Sequence, residues 1–195
     1  PMEQLKMYRL PGAPLPPLTL PAGCAVVSYQ GPQDRQPWLD CCRAGLIPDD
    51  AGMEAFENTI LRHADLIPEQ DVLFLDIAGR RAATITPVYH PDSGRGEIHM
   101  VSVHRDYRGR GLGNGLMALA LRALAPRKPR LIYLTTDDWR LPAIKSYLSA
   151  GFLPVIYGEG DKIDRWRAAL QKLGVEQANA LNDAGEAWGV IRAAE

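Results

Sequence analysis

The segment VHRDYRGRGLGNG, residues 103–115, combines residue types that bind anions. Beside a cluster of arginines, its glycines lie at every second position: Gly109, Gly111, Gly113 and Gly115. An apolar helical pattern follows at once, so we predict a strand, a glycine loop and then a helix N-terminus. The unpaired amides of such a loop and the helix macrodipole together attract anions, and phosphate is the natural guest.

The glycine spacing argues against two familiar nucleotide sites. It does not follow G-x-G-x-x-G, and no Lys-Ser or Lys-Thr pair follows the loop as a P-loop requires. A nucleotide hydrolase or a dehydrogenase is therefore disfavoured. A domain that binds the phosphate of another nucleotide stays open as an alternative.

The same loop contains an R-x-x-G-x-G motif formed by Arg108, Gly111 and Gly113. It resembles the acyl-CoA-binding motif of the Gcn5-related N-acetyltransferases (GNAT). The resemblance implies that loop amides hold the pyrophosphate of coenzyme A and that the preceding strand pairs with the pantetheine arm. The cofactor-binding residues that it implies in this region are Val101, Val103, Arg108, Gly109, Arg110, Gly111, Leu112, Gly113 and Asn114.

A second segment, RLPAIKSYLSAGF at residues 140–152, is similar to a later motif of the same family. The family pattern is N-x-x-A-x-x-hydrophobic-Y-x-x-x-G-F. Arg140 stands where the family often has an asparagine that contacts the cofactor, and it is a cofactor-binding candidate here. The matching positions are Ala143, Tyr147, Gly151 and Phe152.

Acyl transfer to an amine needs a base and an acid. A primary amine has a pKa near ~10 and must lose a proton before it attacks a thioester, and the departing thiolate must gain one. Alternation along the predicted strand GEIHMVSV places Glu97, His99, Val101 and Val103 on one face. The base could be Glu97, His99 or water, and the sequence does not decide among them.

The family resemblance suggests roles for these residues. Glu97 resembles the glutamate base of histone-acetylating members, while arylalkylamine acetyltransferases have histidines at the positions of Glu97 and His99. Tyr147 resembles the family tyrosine whose hydroxyl lies near the sulfur, and we expect it to be the general acid. A backbone amide at Val101 would bind the oxyanion if the strand bulges there as it does in the family. His90 is interpreted as a turn or surface residue.

The order of elements predicts an α/β fold, and the family resemblance implies a GNAT-type mixed, mostly antiparallel sheet flanked by helices. A hairpin is expected across Ala78 and Gly79. The second helix is expected to have Asp49 or Asp50 as its N-cap. Its apolar face is predicted to contain Met53, Phe56, Ile60 and Ala64. Later helices are predicted at 114–125 and 138–149, with another marked by Ile163, Trp166 and Leu170.

The domain organisation is predicted in three parts. Residues 1–22 form a proline-rich N-terminal lead-in, residues 23–160 form the acyl-CoA-binding catalytic domain, and residues 161–195 form a C-terminal helical extension.

Composition limits the partners. The formal net charge is -1 at pH 7, so we expect neither nucleic acid nor membrane as a partner. No signal peptide or run of about 20 apolar residues is seen, and we predict a cytoplasmic protein. The three cysteines have no metal-ligand spacing, and the reaction needs no metal. A homodimer is left open.

Together these features predict an N-acyltransferase that moves an acetyl group directly from acetyl-CoA to a small-molecule amine. Two alternatives remain from the sequence. The acceptor could be a peptide or protein, at a lysine or an N-terminus, and the chain could be a non-catalytic acyl-CoA-binding module.

Overall fold

The computed structural model describes residues 3–43, 45–158 and 160–194. The chain divides into two compact units, Leu15–Pro129 and a second unit made of Pro1–Pro14 with Arg130–Glu195. The strands are β1 Leu5–Arg9, β2 Cys24–Ser28, β3 Leu73–Ile77, β4 Arg80–His90, β5 Arg95–Val103, β6 Leu131–Thr136, β7 Leu153–Ile156, β8 Gln177–Asn182 and β9 Ala187–Arg192. The helices are α1 Arg35–Cys42, α2 Met53–Phe56, α3 Pro68–Asp71, α4 Leu112–Leu124, α5 Leu141–Ser149 and α6 Lys162–Leu173.

The unit Leu15–Pro129 contains four antiparallel strands in the order β2-β3-β4-β5. The turn between β3 and β4 has positive φ at both Ala78 and Gly79, which matches the twist of a two-residue hairpin. The predicted hairpin is therefore confirmed. Helices α1 and α4 pack against β4 and β5. The side chains of Trp38 and Phe56 meet edge to face in the core of this unit.

Helix α2 begins later than the sequence predicts. Gly52 is its N-cap, so the expected cap at Asp49 or Asp50 is wrong. After Phe56 the helix widens into a π-helical turn over Glu57–Leu61. The predicted apolar face is only half right, because Met53 is the first helical residue and Ala64 lies beyond the end of the helix. Phe56 and Ile60 are buried, whereas Met53 and Ala64 are exposed.

Helix α4 lies against the proline-rich segment that precedes β2. Gly115 makes this close approach feasible, because a Cβ there would lie 2.7 Å from Leu20 Cδ2 and 3.2 Å from the Thr19 carbonyl oxygen. Arg122 donates a hydrogen bond to the Pro16 carbonyl oxygen at 2.7 Å. Residues 11–22 contain no helix or strand, as predicted. The part from Pro16 to Leu20 nevertheless lies against α4.

The other unit contains five strands in the order β6-β1-β7-β8-β9, and only the β7–β8 pair among them is parallel within the described residues. Strand β1 is buried, so the proline-rich lead-in predicted for residues 1–22 contains a strand of the sheet over Leu5–Arg9. The predicted helix around Trp166 is confirmed as α6. The hairpin β8–β9 follows it, so the predicted helical extension over 161–195 is only partly correct.

Both units have mostly antiparallel strands with helices beside them, which confirms the predicted α/β class. Among the described helices, none has the length and apolar character needed to cross a membrane. The feature that matters most for the site is strand β5, which carries the candidate base and leads into the glycine loop.

Candidate active site

Strand β5 contains a β-bulge where the oxyanion donor was expected. On β4, Thr84 and Thr86 are two residues apart, but their partners on β5, Ser102 and His99, are three residues apart. Met100 takes up the extra residue with a left-handed φ of 49°. The conditional expectation of a bulge next to Val101 is therefore confirmed.

The bulge changes which side chains share a face. Residues paired across antiparallel strands lie on the same face, so His99 and Ser102 both lie on the face of Thr86 and Thr84. Val101 and Val103 consequently lie on the opposite face from His99. The prediction that Glu97, His99 and both valines share one face is wrong for the valines, because the inserted residue resets the alternation.

A row of alternating carboxylates and imidazoles begins on the Glu97 and His99 face. Glu97 Oε1 lies 3.3 Å from His99 Nδ1, and Glu97 Oε2 lies 2.8 Å from His90 Nε2. The other nitrogen of His90, Nδ1, lies 2.7 Å from Asp65 Oδ2. Both carboxylate oxygens of Glu97 are thus engaged by imidazoles.

His90 has a raised pKa in this row. Burial is the largest single influence and disfavours the charged imidazolium, but the hydrogen bonds and charges of Asp65 and Glu97 together outweigh it. The interpretation of His90 as a turn or surface residue is wrong. The register of the β4–β5 hairpin places His90 near Glu97. Val88 pairs with Glu97, and His90, two positions along the strand from Val88, lies on the same face.

His99 presents an unsatisfied nitrogen. Its Nδ1 faces Glu97, while Nε2 is buried and has no hydrogen-bond partner among the described residues. Buried polar atoms almost always have partners, and an exception calls for an explanation such as a bound ligand or a catalytic role. In the tautomer whose Nδ1 carries the proton towards Glu97, Nε2 is the nitrogen that can accept one.

The glycine loop has the features of an anion site. Gly111 is the N-cap of α4 with φ 74°, no side chain caps the helix, and its first turn contains no acidic residue. Gly109 also has a left-handed φ of 75°, and a Cβ at either glycine would meet no atom within 4 Å. Gly113 is helical and is not among the glycines with positive φ. Leu112 is buried and anchors the first turn, and Asn114 is exposed beside it.

Arginines surround this loop. Arg108 is exposed, and its Nε donates to the Val103 carbonyl oxygen at 3.3 Å. Arg110 is exposed as well, and it donates to the Asp106 carbonyl oxygen and lies over the Tyr107 ring. The exposed guanidinium groups and the uncapped amides fit a diphosphate, because both supply positive charge and hydrogen-bond donors.

Tyr147 and Arg140 belong to the other unit and are described by themselves. Tyr147 lies on α5 and is only 6% exposed, and burial raises the pKa of its hydroxyl to about 12 against a smaller opposing influence of Arg140. Arg140 is the N-cap of α5, and its Nε donates to Asp137 Oδ2 at 2.8 Å. Its guanidinium also lies over the exposed ring of Trp139.

Comparison with known proteins identifies the family. The sequence profile of the acetyltransferase (GNAT) family matches residues 47–152, which is more than half of the 195-residue chain. The chain belongs to the GNAT family. This match confirms the resemblance drawn from the glycine loop and from the Tyr147 motif, and its range contains the bulge and both candidate bases.

Relatives of this GNAT chain include a mycothiol acetyltransferase from Thermomonospora curvata, 31% identical over 76% of this chain and 50% of that protein. The chain thus spans about half the length of the curated relatives it matches. A GCN5-related N-acetyltransferase from Sphaerobacter thermophilus has a similar fold, with a TM-score of 0.64, 20% identity and coverage of 77% of this chain and 48% of that one. The ribosomal-protein-S18-alanine N-acetyltransferase of Escherichia coli matches with a TM-score of 0.53, 19% identity and coverage of 66% and 76%.

Proposed function

We propose that this GNAT chain transfers an acetyl group from acetyl-CoA to the amine of a small molecule. The observation that carries the proposal is the unpartnered, buried Nε2 of His99, held next to a bulge on the strand that leads into the anion-binding loop. Membership of the family supports this chemistry. A cytoplasmic location and a homodimer stay predictions.

The residues present fit coenzyme A at the glycine loop. Gly109 and Gly111 leave open space where side chains would stand, and the first amides of α4 have no capping side chain. We infer that Arg108 to Asn114 hold the diphosphate and that the backbone of Val101 and Val103 holds the pantetheine arm. Arg140 is a further candidate contact. When bound, acetyl-CoA supplies an acyl group activated as a thioester.

His99 is the proposed base. An ammonium group is the dominant form of an alkyl amine at neutral pH, so the amine must lose a proton before it can attack. Nε2 of His99 accepts that proton, and Glu97 stabilises the imidazolium that forms because its Oε1 faces Nδ1. Glu97 is then a positioning residue, since both of its oxygens are already engaged.

Two further groups complete the proposed chemistry. The Tyr147 hydroxyl donates a proton to the leaving thiolate, and its raised pKa keeps that proton in place at neutral pH. A bulge leaves an extra residue of its strand outside the regular ladder, and we propose that the Val101 amide binds the oxyanion there.

A small-molecule acceptor is favoured over a protein. The curated relatives that match most of this chain are named mycothiol acetyltransferase, and mycothiol is a small molecule. The carboxylates of Asp65 and Glu97 lie on the side of β5 that carries His99, and their negative charge attracts a cationic amine.

The test is a screen of an amine library with the full chain, in which free coenzyme A thiol is measured. We expect turnover with one or more small amines and a thermal shift with acetyl-CoA. Binding of acetyl-CoA without turnover on any small amine, peptide or protein would support a binding module instead. A thermal shift with ATP or NAD but not with acetyl-CoA would overturn the proposal.

Substitutions of the proposed base test the mechanism. His99→Gln removes the proton acceptor and should lower kcat by about 10² to 10⁴ while the Kd for acetyl-CoA stays unchanged. Glu97→Gln keeps the size of the side chain but removes the charge that stabilises the imidazolium, and a smaller loss is expected. A Glu97→Gln variant that loses far more activity than His99→Gln would assign the base to Glu97.

A further inference from the structure

A cluster of metal-ligating side chains lies where strand β4 ends. His63, His90 and Glu97 each offer one ligand atom, and these atoms all lie within 4.8 Å of one another. The ring of His63 lies 5.7 Å from that of His90 and 5.6 Å from that of His99, measured between centroids. Three of the four histidines of the chain therefore meet in one place.

The side chains around these three groups are arranged as in metal sites. A histidine that binds a metal through one nitrogen almost always donates its other N–H to a carboxylate or carbonyl, which fixes the ring. His90 has this arrangement, because Nε2 faces Glu97 while Nδ1 lies 2.7 Å from Asp65 Oδ2. Glu97 is oriented likewise, because its second oxygen lies 3.3 Å from His99 Nδ1.

The donor types select the ion. Two imidazoles and one carboxylate suit zinc and similar transition metals, whereas Mg²⁺ and Ca²⁺ prefer sites made of oxygen atoms. A tetrahedral zinc with bonds of about 2.0–2.1 Å needs ligand atoms about 3.3 Å apart. No two of the ligand atoms are more than 4.8 Å apart, so changes of at most ~1.5 Å in any one separation reach that value. His63 lies in the loop after the π-helical turn.

Charge also favours a cation at this place. Two carboxylates, Glu97 in the cluster and Asp65 beside it, flank His90 in a partly buried environment that screens their charge less than open solvent would. They favour a proton on His90 and raise its pKa, and a divalent ion takes the place of that proton. The side chains of His90 and Glu97 are 17% and 18% exposed, so the site is sheltered but can be reached by a small ion.

We propose that His63, His90 and Glu97 bind a zinc-class divalent cation through one atom each, with the fourth coordination position open. Asp65 and His99 orient two of the ligands. The bound ion at Oε2 draws on the negative charge of Glu97 that would stabilise an imidazolium at His99, so that metal binding opposes the proton transfer. The binding site itself does not depend on the proposed acyl transfer.

The experiment is a zinc titration of the metal-stripped full chain in competition with a chromogenic zinc indicator. We expect one zinc per chain. His63→Gln removes a ligand and should abolish this binding. Asp65→Asn keeps all three ligands but loosens His90, and it should weaken zinc binding by about 10- to 100-fold.

A matched control uses the remaining histidine. His104 lies outside the cluster, at the start of the turn Arg105–Tyr107, so His104→Gln should bind zinc as the wild type does. Thermal unfolding checks that each variant is folded. No zinc binding by the wild type, or equal affinity in His63→Gln, Asp65→Asn and His104→Gln, would overturn the proposal. Because binding is measured directly, a lack of acetyl transfer would leave this result intact.

Discussion

Replacing Gly111 by valine should separate cofactor binding from folding. Gly111 has φ 74° at the N-cap of α4, and a Cβ there meets no atom within 4 Å. The loss of stability is therefore backbone strain alone, about 1–3 kcal/mol for a side chain in the left-handed region. Relief of that strain should turn the first amides of α4 away from the proposed diphosphate position. Each charge-assisted hydrogen bond lost is worth about 1.5–3 kcal/mol, which corresponds to about 10- to 100-fold in Kd.

Gly12 provides a matched control for this substitution. It has φ 84°, and a Cβ there likewise meets no atom within 4 Å. Urea unfolding should give Gly12→Val and Gly111→Val similar losses of about 1–3 kcal/mol, because the strain is the same in kind. Calorimetry should find weaker acetyl-CoA binding only in Gly111→Val. An unchanged Kd in the folded Gly111→Val variant would refute the assignment of the loop as the diphosphate site.

Three further predictions concern the acid, the thiols and the metal. Tyr147→Phe should lower kcat by about 10² to 10⁴ at unchanged acetyl-CoA affinity. Because burial raises the pKa of the Tyr147 hydroxyl to about 12, wild-type turnover should show no loss from Tyr147 ionisation below about pH 10. Burial raises the pKa of Cys41 to about 12 and raises that of Cys42 well above its usual value, so a thiol reagent at about pH 8 should modify no more than Cys24 until the chain is unfolded. Saturating zinc should inhibit acetyl transfer by the wild type but not by His63→Gln. Without metal, the two proteins should turn over at the same rate. Equal inhibition of both would contradict the link between the metal site and Glu97.

Local signals explain which elements could be predicted from the sequence. The Ala78–Gly79 turn and helix α4 each follow from neighbouring residues, and both are present. Strand β1 could not be predicted in this way, because its partners lie far along the chain, as in the pairing of Leu5 with Thr136. Leu5, Met7 and Tyr8 are all buried, so β1 lacks the alternation that marks a half-exposed strand.

Residue types were enough to propose the candidate site, but not to predict its geometry. Glu97 and His99 follow from the chemistry of amine acylation and from the family resemblance. The left-handed Met100 has no signature in the sequence, because a non-glycine residue with positive φ is unusual, and it moves the valines to the other face. His63 follows directly after the π-helical turn and its C-cap, and the spacing of apolar residues does not reveal that turn.

Glu97 connects the two proposed activities. Its Oε1 faces the imidazole that would accept the proton of the amine, and its Oε2 faces the imidazole that would bind the metal. A carboxylate held in this way stabilises an imidazolium at His99 only while it keeps its own negative charge available, and a zinc ion at Oε2 withdraws that charge. His63 is a ligand in the proposed metal site and has no role in the proposed proton transfer. Its substitution therefore separates metal binding from acyl transfer, which no change at Glu97 can do.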